Sequence, residues 1–348
     1  MLLYIHIPFC DVKCPYCAFS SFVDKLDLQQ NYTTALIKQF KYDVQKHNIK
    51  EFKTIFIGGG TPSQLDIKYL EQIFNTISPY IKSVEEITIE ANPNSSSKQW
   101  LQDVKDLGVT RVSFGTQSFH PEKLKFLGRK HSRDDGINAL TNASLVGIKN
   151  ISSDLIYECD IDNEALLKED IELALSLNVN HISAYSLTIE KNTPFYKTPE
   201  KRKDNTNLAK FVIDKISQKL PMYEISNFGT HKCKHNLGYW RYEDYLGVGN
   251  SAVGCINNTR IYQTKGLNEY IKDPIKSKQE ILNTQDINLE KIFLGFRSVI
   301  GVDINILSPK QQKRANILVD ENKLYFQDNI FYNKDFLLAD EISLYVGQ

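Results

Sequence analysis

The chain has 348 residues, of which 41% are hydrophobic and 24% are charged. This length predicts two domains, or one large barrel with an appendage, and the apolar share is ample for a buried core. Lysine plus arginine and aspartate plus glutamate both number 42. The formal charge is therefore zero, which gives no electrostatic case for a nucleic-acid partner. The apolar runs are shorter than the ~20 residues that span a membrane, and six cysteines without a pairing pattern favour a reducing, cytoplasmic compartment.

Short β-branched runs alternate with amphipathic stretches over the first two-thirds of the chain. The predicted strands are 2–7, 54–57, 86–90, 111–114, 150–155 and 181–187. Helical patterns follow at 28–47, 63–78, 97–107, 134–146 and 163–177. Six successive β-then-α units predict parallel strands with right-handed crossovers. A closed barrel needs two more units, so we predict an α/β fold with a partial (βα)6 TIM-like barrel over 1–220.

The pattern loosens after residue 204. A helix near 204–219 precedes the strand-like MYEIS and a segment rich in glycine and tyrosine. We predict that 221–279 is a connecting β/loop segment. Residues 280–348 are expected to form a small helical domain with a β-hairpin wing, because KLYFQDNIFYN reads as two short strands around Asp328-Asn329.

Three cysteines follow the first predicted strand with the spacing Cys-x-x-x-Cys-x-x-Cys: Cys10, Cys14 and Cys17. Three thiolates can hold a cubane iron–sulfur cluster by three irons and leave the fourth iron open. A structural zinc site would need a fourth ligand, and the next cysteine is Cys159. A disulfide is disfavoured because the local set is odd and no secretory leader precedes it.

Three glycines, Gly58 to Gly60, end the second strand and precede Thr61-Pro62. Glycines there let the backbone come within hydrogen-bonding distance of a ligand, although an ordinary tight turn is an equal alternative. Glu90 ends the third strand, where its carboxylate can face the barrel mouth and accept bonds from a ribose diol. The alternative for this residue is a solvated surface position.

Polar side chains also follow the next two strands. Gln117 and Asp154 lie after strands four and five, and Arg129 lies in the loop beyond the helix after Gln117. An arginine can form two parallel bonds with a ligand carboxylate. Since the carboxyl ends of parallel strands meet at one edge, we expect these residues on the same face as the cysteines.

His235 lies in CKHNLGYW, beside Tyr239 and Trp240. A histidine flanked by aromatic rings can be an axial ligand of heme iron, with the rings covering the macrocycle. The covalent attachment signature Cys-x-x-Cys-His is absent. The alternative is that the aromatic residues belong to the core and His235 caps a loop.

Together these motifs closely resemble the radical S-adenosylmethionine (SAM) superfamily, specifically the oxygen-independent coproporphyrinogen III oxidase family. The resemblance rests on YIHIPFCDVKCPYC, GGGTP, the Glu90 strand, SFGTQSF and DLIY in the family's order. It implies a [4Fe-4S] cluster on Cys10, Cys14 and Cys17, with SAM on the open iron. It places the first SAM against Tyr4, Gly59, Glu90 and Ser186. The resemblance also aligns six residues with the positions that hold a second SAM in the oxidase: Tyr16, Gly60, Thr61, Gln117, Arg129 and Asp154.

Three differences favour the HemW-like heme chaperone branch over the true oxidases. The oxidase motif continues to a fourth cysteine, where this chain has Phe19, and phenylalanine is characteristic of the branch. HNLGYW matches the branch motif H-N-x-x-Y-W, which is associated with heme binding. The cluster strand begins at residue 2, without the N-terminal extension that the oxidases use.

Two departures from the family pattern also occur. The family usually follows DLIY with Gly-Leu-Pro-x-Gln, whereas this chain has Glu158-Cys159-Asp160-Ile161-Asp162, so the loop is expected to close differently over the site. After DYLGVG the branch commonly has a histidine, and Val253 stands near that place.

The resemblance implies a heme chaperone that binds heme through His235, Tyr239 and Trp240 and delivers it to apo-hemoproteins of respiration. It assigns no catalytic residue. A homodimer and a transient membrane association through client proteins are further expectations. The alternatives are the anaerobic oxidase itself, decarboxylating coproporphyrinogen III, and an iron–sulfur electron carrier without SAM.

Overall fold

The computed structural model describes residues 1–348 and is organised around one sheet of twelve strands. In chain order the strands are β1 (Leu2–Ile7), β2 (Thr54–Gly59), β3 (Glu86–Ala91), β4 (Arg111–Gln117), β5 (Asn150–Tyr157), β6 (His181–Ser186), β7 (Met222–Glu224), β8 (Asn227–Gly229), β9 (Tyr245–Val248), β10 (Val253–Ile256), β11 (Thr259–Gln263) and β12 (Ser277–Ile281). Strands β1 to β6 are parallel neighbours in sequence order. This confirms the predicted partial barrel.

Nine α-helices lie between the strands of this sheet, and the first six of them connect the parallel strands β1 to β6. They are α1 (Gln29–Lys46), α2 (Ile67–Ile77), α3 (Lys98–Asp106), α4 (Pro121–Phe126), α5 (Arg133–Leu145), α6 (Glu164–Ser176), α7 (Thr206–Ser217), α8 (Lys234–Trp240) and α9 (Leu267–Lys272). Side-chain caps fix several starts, because they satisfy amide groups that the first turn leaves unpaired. Asp66 accepts the Lys68 amide, Ser97 accepts the Trp100 amide, and Ser132 forms a capping box.

The two faces of the parallel strands differ in chemistry. On β1, Leu3, Ile5 and Ile7 are buried in a core of 52 residues beneath the helices. The alternate residues Tyr4 and His6 point to the concave face, as the two-residue period of a strand requires. The same alternation on the other strands lines the concave face with polar side chains: Glu86, Thr88, Glu90, Arg111, Ser113, Ser152, Asp154, His181, Ser183 and Tyr185.

The segment 221–279, expected to be a connector, adds strands to both edges of the sheet. β8 pairs antiparallel with β6, and β7 pairs with β8. At the other edge β9 lies parallel to β1, so Leu2 is opposite both Thr54 and Tyr245. Strands β10 to β12 continue antiparallel from β9. The strand order runs linearly from β12 to β7, so the sheet stays open.

The chain ends in a smaller unit with its own core. It contains α10 (Thr284–Phe296), α11 (Pro309–Asp320), α12 (Ala339–Gly347), and the strands β13 (Val302–Asp303), β14 (Leu324–Gln327) and β15 (Ile330–Asn333). Ten buried residues form this core. Asp328 and Asn329 have φ values of 51° and 64° and join β14 to β15, which is the geometry of a tight hairpin turn. None of the helices has both the length and the apolar character needed to cross a membrane.

Candidate functional site

The cysteine loop begins at the carboxyl end of β1, where parallel α/β barrels place their sites. The Cys10 amide donates to the Phe22 carbonyl (3.1 Å), and the Phe22 amide donates to the Pro8 carbonyl (2.7 Å), which ties the two ends of the loop together. Cys10 and Cys14 are buried, and Cys17 is partly exposed. The three predicted ligands are therefore on one short, anchored loop.

Polar groups from other strand ends surround these thiols. The Thr61 hydroxyl lies 3.3 Å from Cys10 Sγ, and Arg129 Nη1 lies 3.5 Å from Cys14 Sγ. Arg129 is held in place because Nη2 donates to Asn92 Oδ1 (2.6 Å) and to the Gly115 carbonyl (2.7 Å). Arg129 is therefore a fixed donor within hydrogen-bonding distance of a predicted iron ligand.

The donor set fits a cubane with one open iron: three thiols, a buried cation, and no fourth cysteine on the loop. No three side chains among histidine, cysteine, aspartate and glutamate are arranged to bind one metal ion together. A cubane requires a different arrangement, because each thiolate binds a different iron.

The glycine run packs directly beneath this loop. The Gly60 amide donates to the Ile7 carbonyl (2.8 Å), and a Cβ at Gly60 would lie 2.9 Å from the Phe9 carbonyl oxygen. Gly59 has a φ of +117°, and a Cβ there would lie 2.5 Å from the His6 ring. Both positions exclude a side chain, which explains the run by close backbone packing as well as by ligand approach.

Two carboxylates face each other across the concave surface. Glu90 Oε2 accepts the Gly59 amide (3.1 Å), and Asp154 Oδ1 accepts the Ser113 hydroxyl (3.0 Å). Burial, and after it the charge of Asp154, raises the pKa of Glu90 to about 7. Burial also raises the pKa of Asp154. Glu90 has no basic side chain within ion-pair distance, so a cationic ligand here would gain a buried counter-ion.

Three more of the predicted site residues are Thr61, Gln117 and Tyr16. Thr61 accepts a bond from Asn92 Nδ2 (3.1 Å), and Gln117 lies beside Gly115 with Arg129. Tyr16 lies in the cysteine loop itself, between Cys14 and Cys17, and its ring centroid is 6.4 Å from that of Phe195.

Ser186 ends β6, and its hydroxyl donates to Glu158. Glu158 has a φ of 63° and also accepts the Asn205 amide (3.1 Å). Arg202 lies 3.6 Å from the same carboxylate. The departure from the family loop therefore inserts a buried carboxylate that fixes Ser186, a contact that the sequence did not predict.

Both ring nitrogens of His235 are hydrogen-bonded inside the protein, and its assignment as an axial ligand stays a prediction. Its ring is fully buried, with Nδ1 2.8 Å from the Thr54 hydroxyl and Nε2 3.0 Å from the Tyr239 hydroxyl. Burial lowers its pKa to about 3, so the imidazole is neutral. Helix α8 lies against β2 and β3, and the His235 amide donates to Glu86. His235 thus anchors the helix that bears HNLGYW.

A cavity of about 830 Å³ lies beside α8. It extends from the cysteine loop, at Ala18 to Ser20, across the concave face to α10. Seven aromatic side chains line its wall: Tyr4, Phe19, Phe56, Tyr239, Tyr242, Tyr245 and Phe293. Its volume lies in the ~300–1,000 Å³ range of cofactor sites. Sequence reasoning missed it because its walls come from five separate parts of the chain.

Most of the charges that line this cavity are paired within the protein. Glu290 accepts bonds from Arg260 (2.6 Å) and from the Tyr242 hydroxyl (2.7 Å). Glu243 pairs with Lys53 at 3.2 Å. Lys265 also lines the cavity, and no carboxylate lies within ion-pair distance of it. The cavity therefore offers an anionic ligand one free ammonium group.

The open parallel sheet, the cysteine loop and the glycine run define a radical SAM protein, and the Radical SAM superfamily model matches residues 4–174. The fold is also that of the radical SAM coproporphyrinogen III oxidase HemN from Escherichia coli, with a TM-score of 0.85, 18% identity, and coverage of 100% of this chain and 90% of that one.

Sequence relatives narrow the assignment. The heme chaperone HemW of Bacillus subtilis is 34% identical over 86% of this chain and 84% of the relative. HemW of Haemophilus influenzae is 36% identical over 89% of this chain and 84% of the relative. The chain belongs to the HemW family of heme chaperones within the radical SAM superfamily.

Proposed function

We propose that the chain binds heme in the cavity beside α8 and delivers it to apo-hemoproteins of the respiratory chain. The observation that carries this proposal is the cavity itself, an aromatic space of about 830 Å³ between the HNLGYW helix and the cysteine loop. A flat macrocycle with peripheral carboxylates suits aromatic faces and an unpaired ammonium group. The HemW relatives are named heme chaperones, which supports the same ligand.

Cys10, Cys14 and Cys17 would hold a [4Fe-4S] cluster, and such a cluster supplies one electron to a nucleoside bound at its open iron. Around it the chain's own groups have defined tasks. Arg129 places a positive charge beside Cys14 Sγ, and Thr61 places a hydroxyl beside Cys10 Sγ. Burial raises the pKa of the Cys10 thiol, and the hydrogen bond from Thr61 offsets part of that rise.

For SAM, Tyr4, Gly59 and Glu90 would form the first contacts. The carboxyl of Glu90 is buried opposite Asp154, so the cationic groups of SAM would stabilise its ionised form. Ser186 would contact the adenine through its hydroxyl oxygen, because its proton is donated to Glu158. A second SAM would use the remaining predicted set: Tyr16, Gly60, Thr61, Gln117, Arg129 and Asp154.

Phe19 separates this proposal from the oxidase alternative. It stands where the oxidase motif has a fourth cysteine, and its side chain is 70% exposed at the edge of the cavity. An exposed aromatic ring is costly to leave in water and is suited to cover a macrocycle. We propose that its role is heme contact and that the chain does not decarboxylate coproporphyrinogen III.

We further propose a cytoplasmic location. All six cysteines are free thiols, and two of the three predicted cluster ligands are buried. Free thiols are typical of proteins in a reducing compartment.

A heme titration tests the proposal. Full-length protein with its cluster reconstituted under anoxic conditions is titrated with hemin and followed by its Soret band. Val253 lines the cavity, so Val253→Trp should fill part of it and weaken heme binding by at least about tenfold. Val299, an exposed valine outside the cavity, provides the matched control, and Val299→Trp should bind as the wild type does.

An anoxic assay for protoporphyrinogen on the same samples separates the alternatives. Heme binding without turnover supports the chaperone. Robust conversion of coproporphyrinogen III, or a wild type that gives no Soret band, would reject it.

A further inference from the structure

The cavity wall contains few groups that can bind heme iron. The side chains that serve as axial ligands are histidine, cysteine, methionine and tyrosine. His6 lines the cavity, but Nδ1 is 2.9 Å from the Tyr4 hydroxyl and Nε2 is 2.8 Å from the Ser20 carbonyl. The Tyr239 hydroxyl is bonded to His235 and that of Tyr242 to Glu290. Each of these groups would have to break an internal bond first.

Cys255 differs from these residues. It lies on β10, lines the cavity, and is only 7% exposed. Its thiol is free and makes no hydrogen bond. It packs with Leu282, Ile287 and Tyr245 in a small apolar cluster, so water does not compete strongly for the sulfur. An unpartnered soft donor therefore faces a large aromatic cavity.

The strand register fixes where this thiol points. Val253 and Cys255 are two residues apart on β10, so their side chains share one face. Both line the cavity, but Val253 has no ligating atom. Cys255 is opposite Arg260 on β11. Burial raises the pKa of the Cys255 thiol, and the Arg260 guanidinium offsets part of that rise.

We propose that Cys255 is the axial ligand of heme iron in this cavity, an assignment that rests on the proposed function. Coordination forms one Fe–S bond and releases the thiol proton to solvent or to a neighbouring carboxylate, and no electron is transferred. Lys265, whose ammonium group is unpaired, would bind a propionate at the edge of the ring.

The test compares variants of the full chain with the cluster reconstituted in its oxidised form, which is silent in electron paramagnetic resonance. Ferric heme is then titrated into the wild type, Cys255→Ser, Cys233→Ser and Tyr245→Phe, since Tyr245 also lines the cavity. Cys233 is the matched control, because it is fully buried, bonded to Glu86 and not part of the cavity wall. The readouts are the heme dissociation constant, the ferric absorption spectrum and the ferric resonance spectrum.

We expect thiolate-type ferric spectra for the wild type and for Cys233→Ser. Cys255→Ser should lose this signature and bind heme at least about tenfold more weakly. If Cys255→Ser keeps the wild-type spectrum, or if Tyr245→Phe alone removes it, the ligand assignment is overturned while heme binding stands. If the wild type binds no heme, the proposed function itself fails.

Discussion

Glu90→Gln isolates the electrostatic cost of the buried carboxylate on the concave face. Burial and the facing Asp154 raise the pKa of Glu90 from 4.5 to about 7. The folded chain therefore binds more protons than the unfolded chain between these two pH values, so the free energy of unfolding falls as the pH rises through this window. At 1.36 kcal/mol for each pH unit, the cost at pH 8 is about 3 kcal/mol. Glutamine removes the charge and keeps an oxygen to accept the Gly59 amide.

The assay is urea unfolding of the cluster-reconstituted chain at pH 8 and at pH 5, with and without SAM. Glu90→Gln should be more stable than the wild type by up to about 3 kcal/mol at pH 8, and by less than about 1 kcal/mol at pH 5. Added SAM should stabilise the wild type more than the variant, because only the wild type offers a counter-ion. Glu85→Gln is the control, since Glu85 is an exposed partner of Lys234 and such pairs are worth ~0–1 kcal/mol. An equal difference at both pH values, or no gain at pH 8, would refute the reasoning.

Three further predictions concern a buried ion pair, the glycine run and the arginine beside the cysteine loop. Lys123→Met should lower the free energy of unfolding by ~3–5 kcal/mol in urea denaturation. Lys123 Nζ is fully buried 2.7 Å from Asp162, and the substitution would leave that carboxylate unpaired. Lys125→Met, at an exposed position on the same helix, should change the free energy of unfolding little. Gly60→Val should halve, or reduce further, the iron and sulfide bound per chain after reconstitution, because its side chain would meet the backbone of the cysteine loop; full iron content would contradict this packing. Arg129→Gln should lower the reduction potential of the cluster in redox titration, since it removes the cation beside Cys14 Sγ, and an unchanged potential would remove that role from Arg129.

The regular part of the fold was predictable because the signals are local. The alternation of Leu3, Ile5 and Ile7 with Tyr4 and His6 sets both the strand and its two faces. Polar caps such as those at Ser97 and Ser132 mark helix starts within a residue or two. The site followed from topology, because polar residues at the ends of parallel strands must meet at one edge.

What the sequence did not predict depends on contacts between distant segments. Strand β9 has only four residues, and its position beside β1 is decided by pairing with residues over 240 positions earlier. His235 has the motif of a ligand, yet its partner Thr54 lies 181 positions away and holds it in the core. Cys255 carried no motif at all, and only the cavity assembled around it singles it out.

The rate of heme transfer to an apoprotein is the most direct test of the proposed chaperone function. Cluster-reconstituted chain loaded with one equivalent of heme is mixed under anoxic conditions with the apoprotein of a respiratory b-type cytochrome, and the cytochrome spectrum is followed over time. The proposed function predicts that heme moves to the cytochrome faster from the wild type than from free hemin in the same buffer. Transfer no faster than from free hemin, or a loaded chain that keeps its heme, would contradict it.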